Sequence, residues 1–217
     1  MHEHHLPVRR TARYFTLGHE NTAVSEVWIV CHGYGQLARS FLKRFVPIDD
    51  PRRLIVAPEG LSRFYLGSTG GVHGPDTKIG ATWMTREDRL SDIDDYVAYL
   101  DDLHDEVMSS RPGVRLVVLG FSQGVATVSR WLTHGKARAH QVILWGSGIP
   151  HEIRPDGKPI FHGAPITIVA GASDKYVGTD QVQGERKRLD ELGIVYEFIS
   201  YDGGHDIDAS TLARLGR

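Results

Sequence analysis

Three side chains suited to moving an acyl group, a serine, a carboxylate and a histidine, occur in this chain in a set order, each just after a strand-like run. Ser122 lies in Gly120-Phe121-Ser122-Gln123-Gly124, directly behind the apolar run Val114–Leu119 and ahead of a helix-like stretch from Val125 to Leu132. A strand that turns at once into a helix lifts a serine hydroxyl above the sheet, and glycines on either side leave room for so tight a bend. Asp174 follows the run Pro165–Ala170, and His205 follows the run Ile194–Tyr201. All three therefore fall at carboxyl ends of strands, on one edge of a sheet. In that order they read as nucleophile, orienting acid and general base. Taken singly, each has a plainer reading: a serine that caps a helix, an aspartate in an Asx turn, a solvated loop histidine. Three matches in one required order favour the catalytic reading.

A fourth element belongs with them. The apolar run Val27–Cys31 leads into His32-Gly33-Tyr34-Gly35, where glycines let the backbone turn its N–H groups toward a reacting centre. The amides of Tyr34 and Gln123 are the expected oxyanion donors. Asp202 and Asp206 flank His205, but sequence neighbours in a turn seldom face each other, so Asp174 is the expected acid. Cys31, at the end of a buried strand, reads as a small core residue. His32 reads as a hydrogen-bonding support under the glycine loop. The histidines His2, His4 and His5 read as a flexible tail, with metal binding as the alternative.

The elements that must position these groups alternate along the chain. Strands are expected at Thr11–Leu17, Val27–Cys31, Arg53–Ala57, Val114–Leu119, Gln141–Trp145, Ile166–Ala170 and Val195–Ser200. Helices are expected at Leu37–Phe45, Arg86–Ser109, Ser122–Thr133 and Thr179–Leu192. In the long one, Ile93, Val97, Leu100, Leu103, His104 and Val107 form one stripe, with acids on the face toward water. Continuous apolar strands separated by such helices predict an α/β fold: a doubly wound, mostly parallel sheet of about seven strands with helices on both faces. With 217 residues, 41% of them hydrophobic, one domain spanning 1–217 is expected. A formal charge of −2 gives no reason to expect nucleic acid or an anionic membrane as partner. A single cysteine permits no internal disulfide. The first residues lack the apolar core of a signal peptide and no run reaches transmembrane length, which points to a cytoplasmic protein.

The set His32-Gly33-Tyr34-Gly35, Gly120-Phe121-Ser122-Gln123-Gly124, Asp174 with Val177, and Gly204-His205 resembles the α/β-hydrolase superfamily. Within it the chain is similar to the phospholipase/carboxylesterase group that includes the acyl-protein thioesterases, in size, in the glutamine after the serine and in the D-x-x-V segment. Tyr34 stands where the thioesterases usually have a small apolar residue, and Pro58-Glu59-Gly60 precedes a glycine-rich stretch unusual for the group. The resemblance implies a serine carboxylesterase with no metal or organic cofactor and no large cap domain, taking small-molecule esters or thioesters. Specificity is expected from two excursions over the strand ends, Glu59–Trp83 and Gly146–Gly163. In the resembling group the first of these borders the substrate, which makes Leu66 and Trp83 candidate pocket residues; packing of its aromatics onto the core is the alternative. Short-to-medium acyl esters are the expected substrates. An acyl-protein thioesterase or lysophospholipase is the alternative enzyme, and a ligand-binding protein that keeps the fold is the alternative outside enzymes.

Overall fold

The computed structural model describes residues 1–18, 24–67 and 73–217. Gly70 and Gly71 of the glycine-rich stretch lie outside the described residues. In chain order the strands are β1 (Tyr14–Gly18), β2 (Glu26–Cys31), β3 (Arg53–Pro58), β4 (Ser62–Tyr65), β5 (Ile79–Thr82), β6 (Arg115–Phe121), β7 (Gln141–Trp145), β8 (Ile166–Gly171) and β9 (Glu197–Tyr201). The helices are α1 (Ala38–Leu42), α2 (Arg89–Met108), α3 (Gln123–His134), α4 (Thr179–Glu191) and α5 (Ala209–Leu215).

Seven strands form one sheet in the order β1-β3-β2-β6-β7-β8-β9. β1 runs antiparallel to β3, and every other pairing in the sheet is parallel. The central strands are apolar along their whole length because both faces are covered. Their side chains alternate between two cores, as the pleat requires. Val27, Ile29, Leu116, Val118, Val142 and Leu144 join one, with Tyr96 and Leu100 of α2 and Trp131 of α3. Trp28, Val30, Val117, Leu119, Ile143 and Trp145 join the other, with Phe41 of α1, Phe45 and Leu212 of α5. The α/β architecture and the parallel sheet are as the sequence pattern predicts.

Four departures bear on the site. The helix expected at Leu37–Phe45 is α-helical only to Leu42 and continues as a 3-10 segment, Lys43–Ile48. Pro47 lies inside that segment; a proline ring cannot donate to the helix ladder and crowds the turn before it. Within the excursion Glu59–Trp83, β4 and β5 pair as an antiparallel hairpin, with Ser62 opposite Thr82 and Tyr65 opposite Ile79. The excursion Gly146–Gly163 buries Ile149, Ile153, Ile160 and Phe161, so most of its apolar residues belong to the core. A short helix, α5, also follows His205, and its N-cap Asp208 accepts from the Thr211 amide.

Candidate active site

Ser122 sits between β6 and α3 with φ 53° and ψ −118°, a conformation that costs a non-glycine residue of order 1–3 kcal/mol. The neighbouring glycines make it attainable. A Cβ on Gly120 would collide with the carbonyl of Gly124, and one on Gly124 with the carbonyl of Cys31. The Ser122 amide donates to the Trp145 carbonyl at 2.8 Å, which ties the turn to β7.

Asp174 and His205 are brought together from the ends of β8 and β9. The His205 ring presents Nδ1 to Asp174 Oδ2 at 2.6 Å, and the Asp174 side chain is 1% exposed. The other carboxylate oxygen, Oδ1, accepts the amides of Tyr176 (2.8 Å) and Val177 (3.1 Å). With both oxygens engaged, the carboxylate holds one orientation and selects the tautomer that carries its proton on Nδ1. That leaves Nε2 as the basic nitrogen. The His205 ring packs 4.9 Å from the ring of Phe121, the residue before Ser122, and 4.9 Å from the ring of Tyr176. Among the described residues no hydrogen bond joins Ser122 to His205; such contacts commonly tighten only when substrate is bound.

The alternative acid and nucleophile are accounted for elsewhere. Asp206 pairs with Arg44 at 2.6 Å and accepts the Ile207 amide. Cys31 is fully buried, and burial pushes its thiol far up from its ordinary range, which removes the thiolate a nucleophile needs. At the amino terminus, His5 lies 3.3 Å from both Glu3 and Asp88 in an exposed cluster.

The glycine loop after β2 is fastened from below. His32 is completely buried, its Nδ1 lies 2.8 Å from the Gly33 carbonyl, and its Nε2 accepts the Gly60 amide at 3.0 Å. This pattern needs a neutral ring that donates from Nδ1, and burial lowers the pKa of His32 in the direction that keeps it neutral. The Gly33 carbonyl also accepts the Gln36 amide at 3.2 Å. Across a trans peptide the Tyr34 N–H must point away from that carbonyl. Neighbouring amides are spent: Gly33 donates to Gln36 Oε1 and Gly35 to the Ala81 carbonyl, both at 2.8 Å. Gln123 opens α3, where the first amides have no partner within the helix. Its side chain is held by β5 and the segment after it, donating to Met84 O at 2.8 Å and accepting from the Trp83 amide at 3.2 Å.

The two candidate pocket residues part company. Leu66 is half-buried beside Gly35, bordering a depression of about 410 Å³. Trp83 is a correction: at 2% exposure it belongs to the core, where its indole donates to the His32 carbonyl at 2.9 Å. It props up the glycine loop from below. Pro58-Glu59-Gly60 also has a structural reason. Glu59 is buried and accepts from Arg13 at 2.6 Å, from Arg63 at 3.3 Å and from the Ala38 amide at the start of α1.

Tyr201 was not singled out in the sequence, where it reads as the end of an apolar strand. Its hydroxyl lies 2.6 Å from the carbonyls of Gly204 and Asp206, the residues on either side of His205. That role rests on side-chain contacts inside the turn after β9, which an apolar run does not announce.

Comparison with known proteins places the chain in a family and a fold. A model of the family described as Phospholipase/Carboxylesterase matches residues 14–216. Esterase PE8 is 20% identical, with 95% of this chain and 97% of that one aligned at a TM-score of 0.69. Acyl-protein thioesterase 2 from Zea mays is 17% identical, with 95% and 96% aligned, also at 0.69. The carboxylesterase of Bacillus cereus is 15% identical, with 94% and 92% aligned at 0.66. At these identities the likeness establishes a shared α/β-hydrolase fold. No curated protein matches by sequence comparison.

Proposed function

The chain belongs to the phospholipase/carboxylesterase family of hydrolases, and we propose that it cleaves short-to-medium acyl esters through Ser122, His205 and Asp174, within one catalytic domain. The observation that carries this reading is the buried Asp174 carboxylate at 2.6 Å from His205 Nδ1, beside a serine with strained backbone.

In the proposed cycle His205 Nε2 takes the proton of Ser122 Oγ as the oxygen attacks the acyl carbonyl. The negative charge on the carbonyl oxygen is received by the amides of Tyr34 and Gln123. Collapse of the intermediate breaks the bond to the leaving oxygen, which takes its proton from His205. Water then attacks the acyl-enzyme by the same route, releasing the acid and restoring Ser122. Asp174 stabilises the imidazolium in both halves. Among the described residues no helix is long and apolar enough to cross a membrane, and the proposed substrates are small molecules.

The test is p-nitrophenyl ester hydrolysis from acetate to palmitate, with fluorophosphonate labelling in parallel. Turnover is expected to peak at short or medium chains, and Ser122→Ala is expected to abolish turnover and labelling while unfolding at nearly the same temperature. A peak at palmitate would replace this reading by a thioesterase or lysophospholipase. Labelling without sustained turnover would favour a ligand-binding protein, and undiminished turnover in Ser122→Ala would end the serine mechanism.

A further inference from the structure

Two unlike cavities border the loops around Ser122, which itself lines neither. The larger, about 870 Å³, is on the His205 side: Tyr176 lines it, and so does Ser147, next to Gly146. A methyl on Gly146 would lie 3.1 Å from His205 Cε1. The smaller is the depression of about 410 Å³ on the glycine-loop side. Gly33 stands between the nucleophile and one of the depression's lining residues. A methyl on that glycine would lie 3.0 Å from Ser122 Cβ and 3.2 Å from Oε1 of Gln36, which lines the depression.

The proposed mechanism, on which this inference rests, decides which end of the ester goes where. His205 must hand its proton to the leaving oxygen, so the leaving group lies on the His205 side. The acyl part then extends over the glycine loop toward the smaller depression. Phe41 and Leu66 give that depression an apolar wall, while Arg44 and Lys78 bring two cations to it. No carboxylate stands among its described lining residues. The nearest acid in contact with either cation is Asp206, which takes Arg44 Nη1 at 2.6 Å. A guanidinium has five N–H donors, so that one contact leaves most of them to offer. Lys78 has no ion-pair partner among the described residues.

We propose that this depression is an acyl subsite for a chain ending in an anion, and that the preferred substrates are half-esters or half-thioesters of short dicarboxylic acids. The methylenes lie along Phe41 and Leu66, and the terminal carboxylate is received by Arg44 and Lys78. Such a subsite discriminates by charge rather than by length. It also explains the need for an open depression, because a carboxylate keeps part of its hydration there.

Matched p-nitrophenyl esters test this: the adipate and suberate half-esters against hexanoate and octanoate, compared as ratios of kcat/KM at low ionic strength. The anionic member is expected to be favoured by about tenfold, and each of Arg44→Gln and Lys78→Gln to cut that ratio by about threefold, as for exposed ion pairs. The double variant is expected to show no preference, and added salt to erode the wild-type ratio. Using a ratio cancels any common loss that follows from freeing Asp206 beside His205. Equal rates for the two classes in the wild type would overturn the subsite while leaving the esterase reading intact. So would a preference that survives in the double variant, or one seen only when the carboxylate is moved to the leaving group. Failure to hydrolyse any of the four esters would overturn both readings.

Discussion

The proposed acid–base half of the site and its proposed oxyanion half are held by different means. Asp174 and His205 project from β8 and β9, neighbouring strands of the main sheet in register from Thr167↔Glu197 to Gly171↔Tyr201. Side-chain hydrogen bonds finish the positioning: Asp174 to two amides and to His205, and Tyr201 to the carbonyls around His205. The Tyr34 amide depends instead on backbone contact with a hairpin outside that sheet. Gln36 and Ala81 form an isolated bridge, and a Cβ on Gly80 would fall 2.5 Å from the Gly35 carbonyl. The same strand end grips the Gln123 side chain through Thr82 and Met84. A base must be oriented about one bond, which side-chain partners can do. An oxyanion pair must hold two amides at a fixed separation, and in the proposed site β5 touches the supports of both.

This contrast can be broken from either side. Asp174→Asn is expected to lower kcat by about 10⁴, because the amide would favour the wrong imidazole tautomer, with a small change in melting temperature. Steady-state kinetics would show it, and the same loss in Asp202→Asn or Asp206→Asn would move the acid elsewhere. On the other side, Gly80→Val pushes directly on Gly35 and should displace the Tyr34 amide. The expected cost is about 10²-fold in kcat, as for losing one oxyanion donor, with Gly80→Ala intermediate. Folded protein, verified by its unfolding curve, that keeps kcat within threefold of wild type would show that the hairpin does not frame the hole. The mildest change, Tyr201→Phe, removes one hydrogen bond from the His205 turn and should cost kcat about tenfold with KM nearly unchanged. An unaltered kcat would assign the turn's order to the Arg44–Asp206 pair instead.

The two halves also differ in how plainly they could be read before any coordinates. Strands buried on both faces spell themselves out in runs such as Val114–Leu119, so the sheet and the residues at its carboxyl edge could be placed from pattern alone. The hairpin could not. Its strands are four residues each, and β4 is only partly buried, so neither periodicity nor length distinguishes it from a loop. Trp83 is ambiguous in the sequence for a related reason. A large aromatic in a glycine-rich stretch looks the same whether it faces a ligand or the core, and what decides it is an indole hydrogen bond to a carbonyl 51 residues away. The terminal helix α5 was missed as well, although its Asp208 cap stands in the sequence. The buried role of Glu59 depends on partners from β1 and α1, which no local pattern connects.

The positive φ of Ser122 has a consequence for anyone who evolves this chain in the laboratory. A glycine at 122 would relax the backbone, and a screen that rewards heat resistance alone would tend to collect it. The survivors of such a screen would be sturdier proteins with no hydroxyl to offer. Thermal selection and catalytic selection therefore pull in opposite directions at this one residue, and a useful library must be challenged with substrate in every round.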